Sequence, residues 1–417
     1  MQKVFFKTFG CRTNQFDTQI MISRLQEYEV TQDELSSDII VVNSCTVTNG
    51  ADSSVRNYIS SIKRRNPEAR VILAGCGSHS KGEGLFKDKR IFGVMGHSEK
   101  EKINEILKHD QPFYQIGDLK HIDSTIVEEF VGKSRAFIKI QEGCDFRCSY
   151  CIIPSVRGDA RSHKEYDILE QITKLAGNGF GEFILTGTNV GSYGRDQGSS
   201  MAKLLKKMSR IRGVRRIRIG SLEPIQIDDE FKEILGEPWM AKHLHIALQH
   251  TSDRMLELMN RRNRFESDIK LFREIAEKGY ALGTDYIVGH PGEDEKEWAE
   301  AISRVKELPL THIHAFSYSK RDNTVSAAMK PEIRGDIAKA RHRELTEIIK
   351  AKNYLFRREH QSNLEVLLES GKEGIYRGFD QYFNRVMVKS EEDLSSNWVL
   401  LNDVEVTDDG NTAQFTR

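Results

Sequence analysis

Three of the chain's six cysteines fall within eight residues, Cys144-Asp145-Phe146-Arg147-Cys148-Ser149-Tyr150-Cys151, at C-x3-C-x2-C spacing. Thiolates so spaced on one loop can ligate three irons of a cubane 4Fe-4S cluster, whose usual complement is four cysteines. The fourth iron would then be open, and a metal with a vacant position can bind a small molecule. Structural zinc is the main alternative. It is normally closed by four ligands, yet the first histidine after the triplet is His163, and none lies between His121 and Cys144.

The other three cysteines are far apart, but each follows an apolar run. Val4 to Phe9 leads to Gly10-Cys11, Ile39 to Asn43 leads to Ser44-Cys45, and Val71 to Gly75 leads to Cys76. Continuous β-branched runs alternating with helix-like stretches, such as Ser53 to Lys63, predict parallel strands buried on both faces. Ligands in such sheets gather beyond the carboxyl ends of the strands. Cys11, Cys45 and Cys76 are therefore expected to converge into a second three-thiol site with one iron free. Taken singly, each could also be an inert buried cysteine.

A length of 417 residues fits two or three domains. The expected fold class is α/β: an open parallel α/β domain over residues 1–110, a linker over 111–134, a central domain over 135–350 and a small β-barrel over 363–417. In the centre, strand candidates at Phe137 to Ile140, Phe183 to Thr186, Arg216 to Gly220, His243 to Leu248, Gly283 to Val288 and His312 to Tyr318 alternate with helical stretches. Such alternation predicts parallel βα units. Six units make a partial (βα)6 barrel, with its site at the strand carboxyl ends by analogy with closed barrels. Gly187, Glu223, Gln249, Asp285 and Gly289 fall in or just after those strands and are candidates for holding a nucleoside-bearing cofactor. Glycine permits close backbone approach, and Glu223 or Gln249 could bond ribose hydroxyls. Five short runs near the C-terminus, from Leu364 to Thr416, predict an OB-like barrel.

Charge is balanced, with 62 basic and 62 acidic residues, so the net value points to no nucleic-acid partner. Its distribution says more. Between Gln197 and Leu222 there is no acid, while Lys203, Lys206, Lys207, Arg210, Arg212, Arg215, Arg216 and Arg218 could neutralise RNA phosphates. A solvated helix and strand face would read the same way. The C-terminal barrel is acidic, so RNA contact there would be local, around Tyr376, Arg377, Phe379, Tyr382, Phe383 and Arg385. Those aromatics could equally form its core. No apolar run reaches the length of about eighteen residues needed to span a membrane, and the N-terminal apolar run is too short for a signal peptide. The chain is expected to be cytoplasmic, where clustered cysteines favour metal binding over disulfides.

With both triplets and the terminal barrel in view, the chain resembles the radical S-adenosylmethionine (radical SAM) methylthiotransferase family over nearly its whole length. Lys139-Ile140-Gln141-Glu142-Gly143-Cys144, Ser221-Leu222-Glu223-Pro224 and Ser319-Lys320-Arg321 with Thr324 are most similar to its MtaB type. Departures are Ala247 for a usual proline, His250-Thr251 for Ser-Gly, and His290 for phenylalanine. The resemblance implies two 4Fe-4S clusters, one on Cys144, Cys148 and Cys151 and one on Cys11, Cys45 and Cys76. It also implies SAM beside Tyr150, which matches the family's aromatic near adenine, and a C-terminal TRAM barrel. The implied reaction is methylthiolation of carbon 2 of N6-threonylcarbamoyladenosine in the tRNA anticodon stem-loop. One electron cleaves SAM to a 5'-deoxyadenosyl radical, and a second SAM methylates sulfur held at the N-terminal cluster. An electron donor and a sulfur source are implied partners, and no membrane is. No side chain stands out as a general base, because the cofactors carry the difficult chemistry. Alternatives are methylthiolation of N6-isopentenyladenosine in tRNA or of an aspartate in a ribosomal protein, an iron-sulfur electron carrier, and an RNA-binding protein with structural zinc.

Overall fold

The computed structural model describes residues 1–127 and 134–415. Its first sheet has strands β1 (Gln2–Thr8), β2 (Tyr28–Val30), β3 (Ile39–Ser44), β4 (Arg70–Gly75), β5 (Gly93–Met95) and β6 (Phe113–Gln115) in the order β2-β1-β3-β4-β5-β6. Every pairing is parallel. The continuous Ile39-Ile40-Val41-Val42 run is fully buried because helices cover both faces. Helix α1 (Arg12–Arg24) places Met21 on one face, while α2 (Asn49–Arg65) and α3 (Cys76–Lys87) place Val55, Ile59, Ile62 and Leu85 on the other. The sheet runs past residue 110, since β6 falls in the stretch expected to be a linker. Three residues are too few to show a strand period, but Phe113 is buried beside Gly93.

The central domain contains β7 (Arg135–Glu142), β8 (Arg161–Ser162), β9 (Glu182–Gly187), β10 (Arg216–Ile219), β11 (His243–His245), β12 (Ala281–Val288) and β13 (His312–Ser317). Six of these run parallel in the order β7-β9-β10-β11-β12-β13, with single bridges such as Leu222 to Ile246 joining the two halves. β8 pairs antiparallel outside β7. Phe16 and Ile20 of α1 enter the same apolar core as β7 and β9, so the first domain is packed onto the partial barrel. His243 and His245 on β11, and His312 and His314 on β13, sit at alternate positions and share one face of the sheet.

The C-terminal barrel has six strands rather than five: β14 (Leu364–Leu368), β15 (Ile375–Phe379), β16 (Arg385–Lys389), β17 (Trp398–Leu401), β18 (Glu405–Thr407) and β19 (Gly410–Gln414). β18 and β19 form a hairpin through Thr407 and Gly410. The strand expected at Ala413 to Thr416 begins earlier, and Thr416 lies outside the described residues. Tyr376 belongs to the barrel core with Val366 and Val388 rather than to a stacking surface.

The barrel docks on the strand starts of the central sheet, which changes the reading of the basic run. Arg216 lies between Glu182 at 3.0 Å and Glu365 at 2.6 Å, and Arg218 between Glu182 at 2.7 Å and the Asp380 carbonyl at 2.5 Å. Arg215 and Arg216 also lie over the Trp398 ring. Arg216 and Arg218 are buried interface cations, so the run is not one RNA-facing stripe. Among the described residues no helix is long and apolar enough to cross a membrane.

Candidate active site between two cysteine triplets

Cys11, Cys45 and Cys76 follow β1, β3 and β4 at the same edge of the first sheet. Glycines allow the three turns to approach. Gly10 sits at φ +100°, and a Cβ there would lie 2.7 Å from Cys45 Cβ and 3.1 Å from its Sγ. Asn14 joins the turns from α1: its Nδ2 donates to the Phe9 and Ser44 carbonyls at 2.8 and 3.0 Å, and its Oδ1 lies 4.0 Å from Cys76 Sγ. Burial pushes the Cys76 thiol up to about 11, opposed by Arg157, with Cys11 and Cys45 both close enough to push it further. Cys45 is raised too, first by burial and then by Cys11.

Cys144, Cys148 and Cys151 lie on the loop after β7. Gly143, at φ +71°, starts it where a Cβ would collide with the Asp159 carbonyl. Asn189 Nδ2 lies 3.5 Å from Cys144 Sγ and an Arg261 nitrogen 3.8 Å from Cys148 Sγ, so donors face the sulfurs. Burial raises Cys144 and pushes Cys151 up to about 12. Among the described residues, neither triplet has its three sulfurs all within 4.8 Å of one another. A single zinc about 2.3 Å from each sulfur would hold them about 3.8 Å apart. The wider spacing fits a larger inorganic group better than one ion, and binding it would release the thiol protons.

A cavity of about 270 Å³ adjoins residues of both triplet segments. Val47 and Thr48, just after Cys45, line it together with Tyr150 and Cys151, and Gln249, Asp285, Ile287 and Tyr318 complete the wall. Gln249 is held at φ +67°, its N–H donating to the Asp285 carbonyl and its own carbonyl accepting from Ile287. Asp285 Oδ1 lies 3.0 Å from His245 Nε2 and 3.4 Å from His314 Nδ1, and Ser221 donates to its other oxygen at 3.1 Å. Burial would raise this carboxyl, but the two imidazoles hold it below its ordinary value.

The structure thus brings Tyr150, Gln249 and Asp285 together. Glu223 lines a separate cavity of about 110 Å³ beside Cys148, where Arg261 donates to it at 2.7 Å. Gly187 packs against Gln141, and Gly289, at φ +76°, lies under Ala338; neither lines a cavity described here. Ala247, His250 and His290 line neither cavity, though the Ala247 carbonyl accepts a hydrogen bond from Arg261. His250 faces Glu293 at 3.2 Å, and His290 bonds Ser326 at 2.7 Å.

Several positioning residues have no cysteine-like signature. Arg157, six residues after Cys151, donates from Nε to Cys76 Sγ at 3.2 Å, and to Asn14, Asp17 and Glu142 at 2.6 to 2.9 Å. With Lys100, Lys139 and Asp123 these carboxylates form a buried ionic cluster joining the first domain to β7. Arg321 is a second clasp: it bonds Asp52 and Asn49 at 2.7 Å and Thr46 at 3.0 Å, holding the segment after Cys45 over the cavity. Lys320 pairs with Glu332 instead.

Residues 138–305 match the radical SAM superfamily, and residues 3–96 match an uncharacterised family, UPF0004. A Helicobacter pylori (strain J99) protein, provisionally named a methylthiotransferase, is 51% identical over all of both chains. A protein of Aquifex aeolicus named threonylcarbamoyladenosine tRNA methylthiotransferase MtaB is 36% identical, covering 85% of this chain and 89% of its own. One from Hydrogenobaculum named tRNA-2-methylthio-N(6)-dimethylallyladenosine synthase is 32% identical over 90% of each. In fold, the chain is similar to the radical SAM methyltransferase TsrM of Kitasatospora setae, with a TM-score of 0.62 at 16% identity, covering 78% of this chain and 77% of that one. Paired triplets, a parallel partial barrel and full-length relatives, MtaB-named proteins among them, agree that the chain belongs to the radical SAM methylthiotransferase family.

Proposed function

We propose that this chain is a cytoplasmic tRNA methylthiotransferase that modifies carbon 2 of N6-threonylcarbamoyladenosine in the anticodon loop. The observation that supports the reading is the shared cavity, because Val47 and Thr48, close after Cys45, line it together with Tyr150 and Cys151. Sulfur delivery and radical formation must meet at one substrate atom, and that arrangement lets them. Cys144, Cys148 and Cys151 would hold one 4Fe-4S cluster, and Cys11, Cys45 and Cys76 the other. When bound, these groups supply the electron for SAM cleavage and the sulfur for transfer. An electron donor and a sulfur source are therefore required partners.

The chain's own residues position and shield. Tyr150, Ile287 and Tyr318 give the cavity apolar walls on which a purine can lie, and Gln249 and Asp285 give it a polar edge. The Glu223–Arg261 pair supports the loop beside Cys148. Arg321 and Arg157 keep the two triplets in fixed relation. The MtaB-type relatives support the threonylcarbamoyl substrate, and the dimethylallyl-named relative keeps the isopentenyl substrate as a second reading.

Deleting the gene should remove 2-methylthio-N6-threonylcarbamoyladenosine from bulk tRNA and leave its unmethylthiolated precursor, as read by mass spectrometry of digested tRNA. Loss of the isopentenyl counterpart with that nucleoside intact would overturn the assignment.

A further inference from the structure

Beside the first cavity lies another of about 420 Å³, where the first domain, the partial barrel, the long helix Gly335–Glu359 and the C-terminal barrel meet. His245 and His314 line it and also hold Asp285, which lines the first cavity, so one layer of side chains separates the two. Arg12, the residue after Cys11, projects into it from the first turn of α1.

Arg12 is anomalous among the arginines nearby. Arg135 has Glu369 at 2.6 Å, Arg216 has Glu182 at 3.0 Å, and Arg218 has Glu182 at 2.7 Å. Arg12 has no hydrogen bond or ion pair among the described residues, and its guanidinium lies over the rings of Phe137 and Phe383, 6.0 and 5.6 Å from their centroids. Guanidinium does not deprotonate in proteins, and an uncompensated, largely desolvated cation is costly. His243, 8% exposed on the same wall, has no hydrogen-bond partner at Nε2 among the described residues. Phe379 and Phe383 stack at 4.7 Å to form an apolar side.

We infer that this cavity takes the N6 substituent of the target nucleoside, an amino-acid arm ending in a carboxylate, and that Arg12 pairs with that carboxylate. The inference rests on the proposed reading of the chain as an adenosine methylthiotransferase. Carbon 2 and carbon 6, the carbon that bears N6, belong to the same six-membered ring. A base presented to sulfur at Cys11, Cys45 and Cys76 therefore carries its N6 arm only a few bonds away, and Arg12 adjoins Cys11. Arg12 is on this account the residue that selects a carboxylate arm over an apolar one.

The test uses anaerobically purified holoenzyme and three otherwise identical anticodon stem-loop RNAs. Their target adenosine carries threonylcarbamoyl, its methyl ester, or isopentenyl, and binding is read by fluorescence anisotropy. Charge-assisted hydrogen bonds predict that wild type binds the free acid about tenfold or more tighter than the ester. Arg12→Leu should bind acid and ester equally, at the ester's wild-type level, and Arg12→Lys should recover part of the preference. Equal wild-type affinity for acid and ester, or an Arg12→Leu protein that still discriminates, overturns the role of Arg12. If Arg12→Leu does not retain iron, the acid and ester comparison in wild type decides alone. Turnover separates this from the underlying reading. Methylthiolation of the isopentenyl RNA and not the threonylcarbamoyl RNA overturns both, whereas normal turnover of the free acid without acid preference overturns only the inference.

Discussion

Replacing Lys139 with methionine removes the central cation of the buried cluster that joins the first domain to the barrel. Its Nζ is wholly buried, 2.7 Å from Asp17, 2.5 Å from Asp123 and 3.2 Å from Glu142. Breaking a buried ion pair by removing one partner costs about 3–5 kcal/mol. Lys100 still reaches Asp17 and Asp123, at 2.8 and 3.2 Å, and Arg157 still reaches Asp17 and Glu142, so the lower end applies. A loss of about 3 kcal/mol corresponds to a fall in melting temperature of roughly 6–12 °C by calorimetry. The pH dependence is a sharper check. Burial alone would raise all three carboxyls, but the surrounding cations hold Asp17 and Glu142 well below the usual range and Asp123 at about 2. Depressed carboxyls contribute stability that is present above their unfolded value, about 4, and lost as pH falls through the folded one. Lys139 itself is raised, so its contribution is constant in that window and is lost only in strong alkali. The gap between wild type and variant should therefore narrow between about pH 4 and pH 2. A loss below about 1 kcal/mol, or a gap that widens in acid, would refute the reasoning.

Arg321→Met frees the segment after Cys45 from Asp52, Asn49 and Thr46. Reductive SAM cleavage should persist, while methylthio product per SAM cleaved falls about tenfold, the equivalent of about 1.4 kcal/mol; equal losses in both would show a general folding defect instead. Gly10→Ala puts a methyl 2.7 Å from Cys45 Cβ at φ +100°. It should destabilise the first domain by about 1–3 kcal/mol and lower iron content, with unchanged iron counting against the convergence of Cys11 and Cys45.

The placement of the cysteines was legible because it follows from local patterns: one tight loop, and three strand ends of a parallel sheet. The long apolar runs of β3, β4 and β12 were legible for the same reason. Interfaces were not. Arg216 and Arg218 sit in a stretch that reads as a solvated basic face, yet both are buried, because Glu365 and Asp380, some 150 residues later, arrive with the C-terminal barrel. Arg157 reaches Cys76, 81 residues earlier, a partner no spacing rule could supply. β2, β5 and β6 are three residues each and β8 is two, too short for alternation to register. Gly187 and Gly289 lie near strand ends as expected, but what they meet, Gln141 and Ala338, depends on packing between elements.

The central claim is that the two triplets serve two halves of one reaction across a shared cavity. The most direct measurement takes a variant with Cys11, Cys45 and Cys76 all changed to alanine, purified anaerobically and given reductant, SAM and threonylcarbamoyl-modified anticodon stem-loop RNA. About four irons per chain should remain, 5'-deoxyadenosine should still form, and no methylthio nucleoside should appear. Methylthiolated product from that protein, or loss of 5'-deoxyadenosine formation with the four irons still in place, would contradict the account.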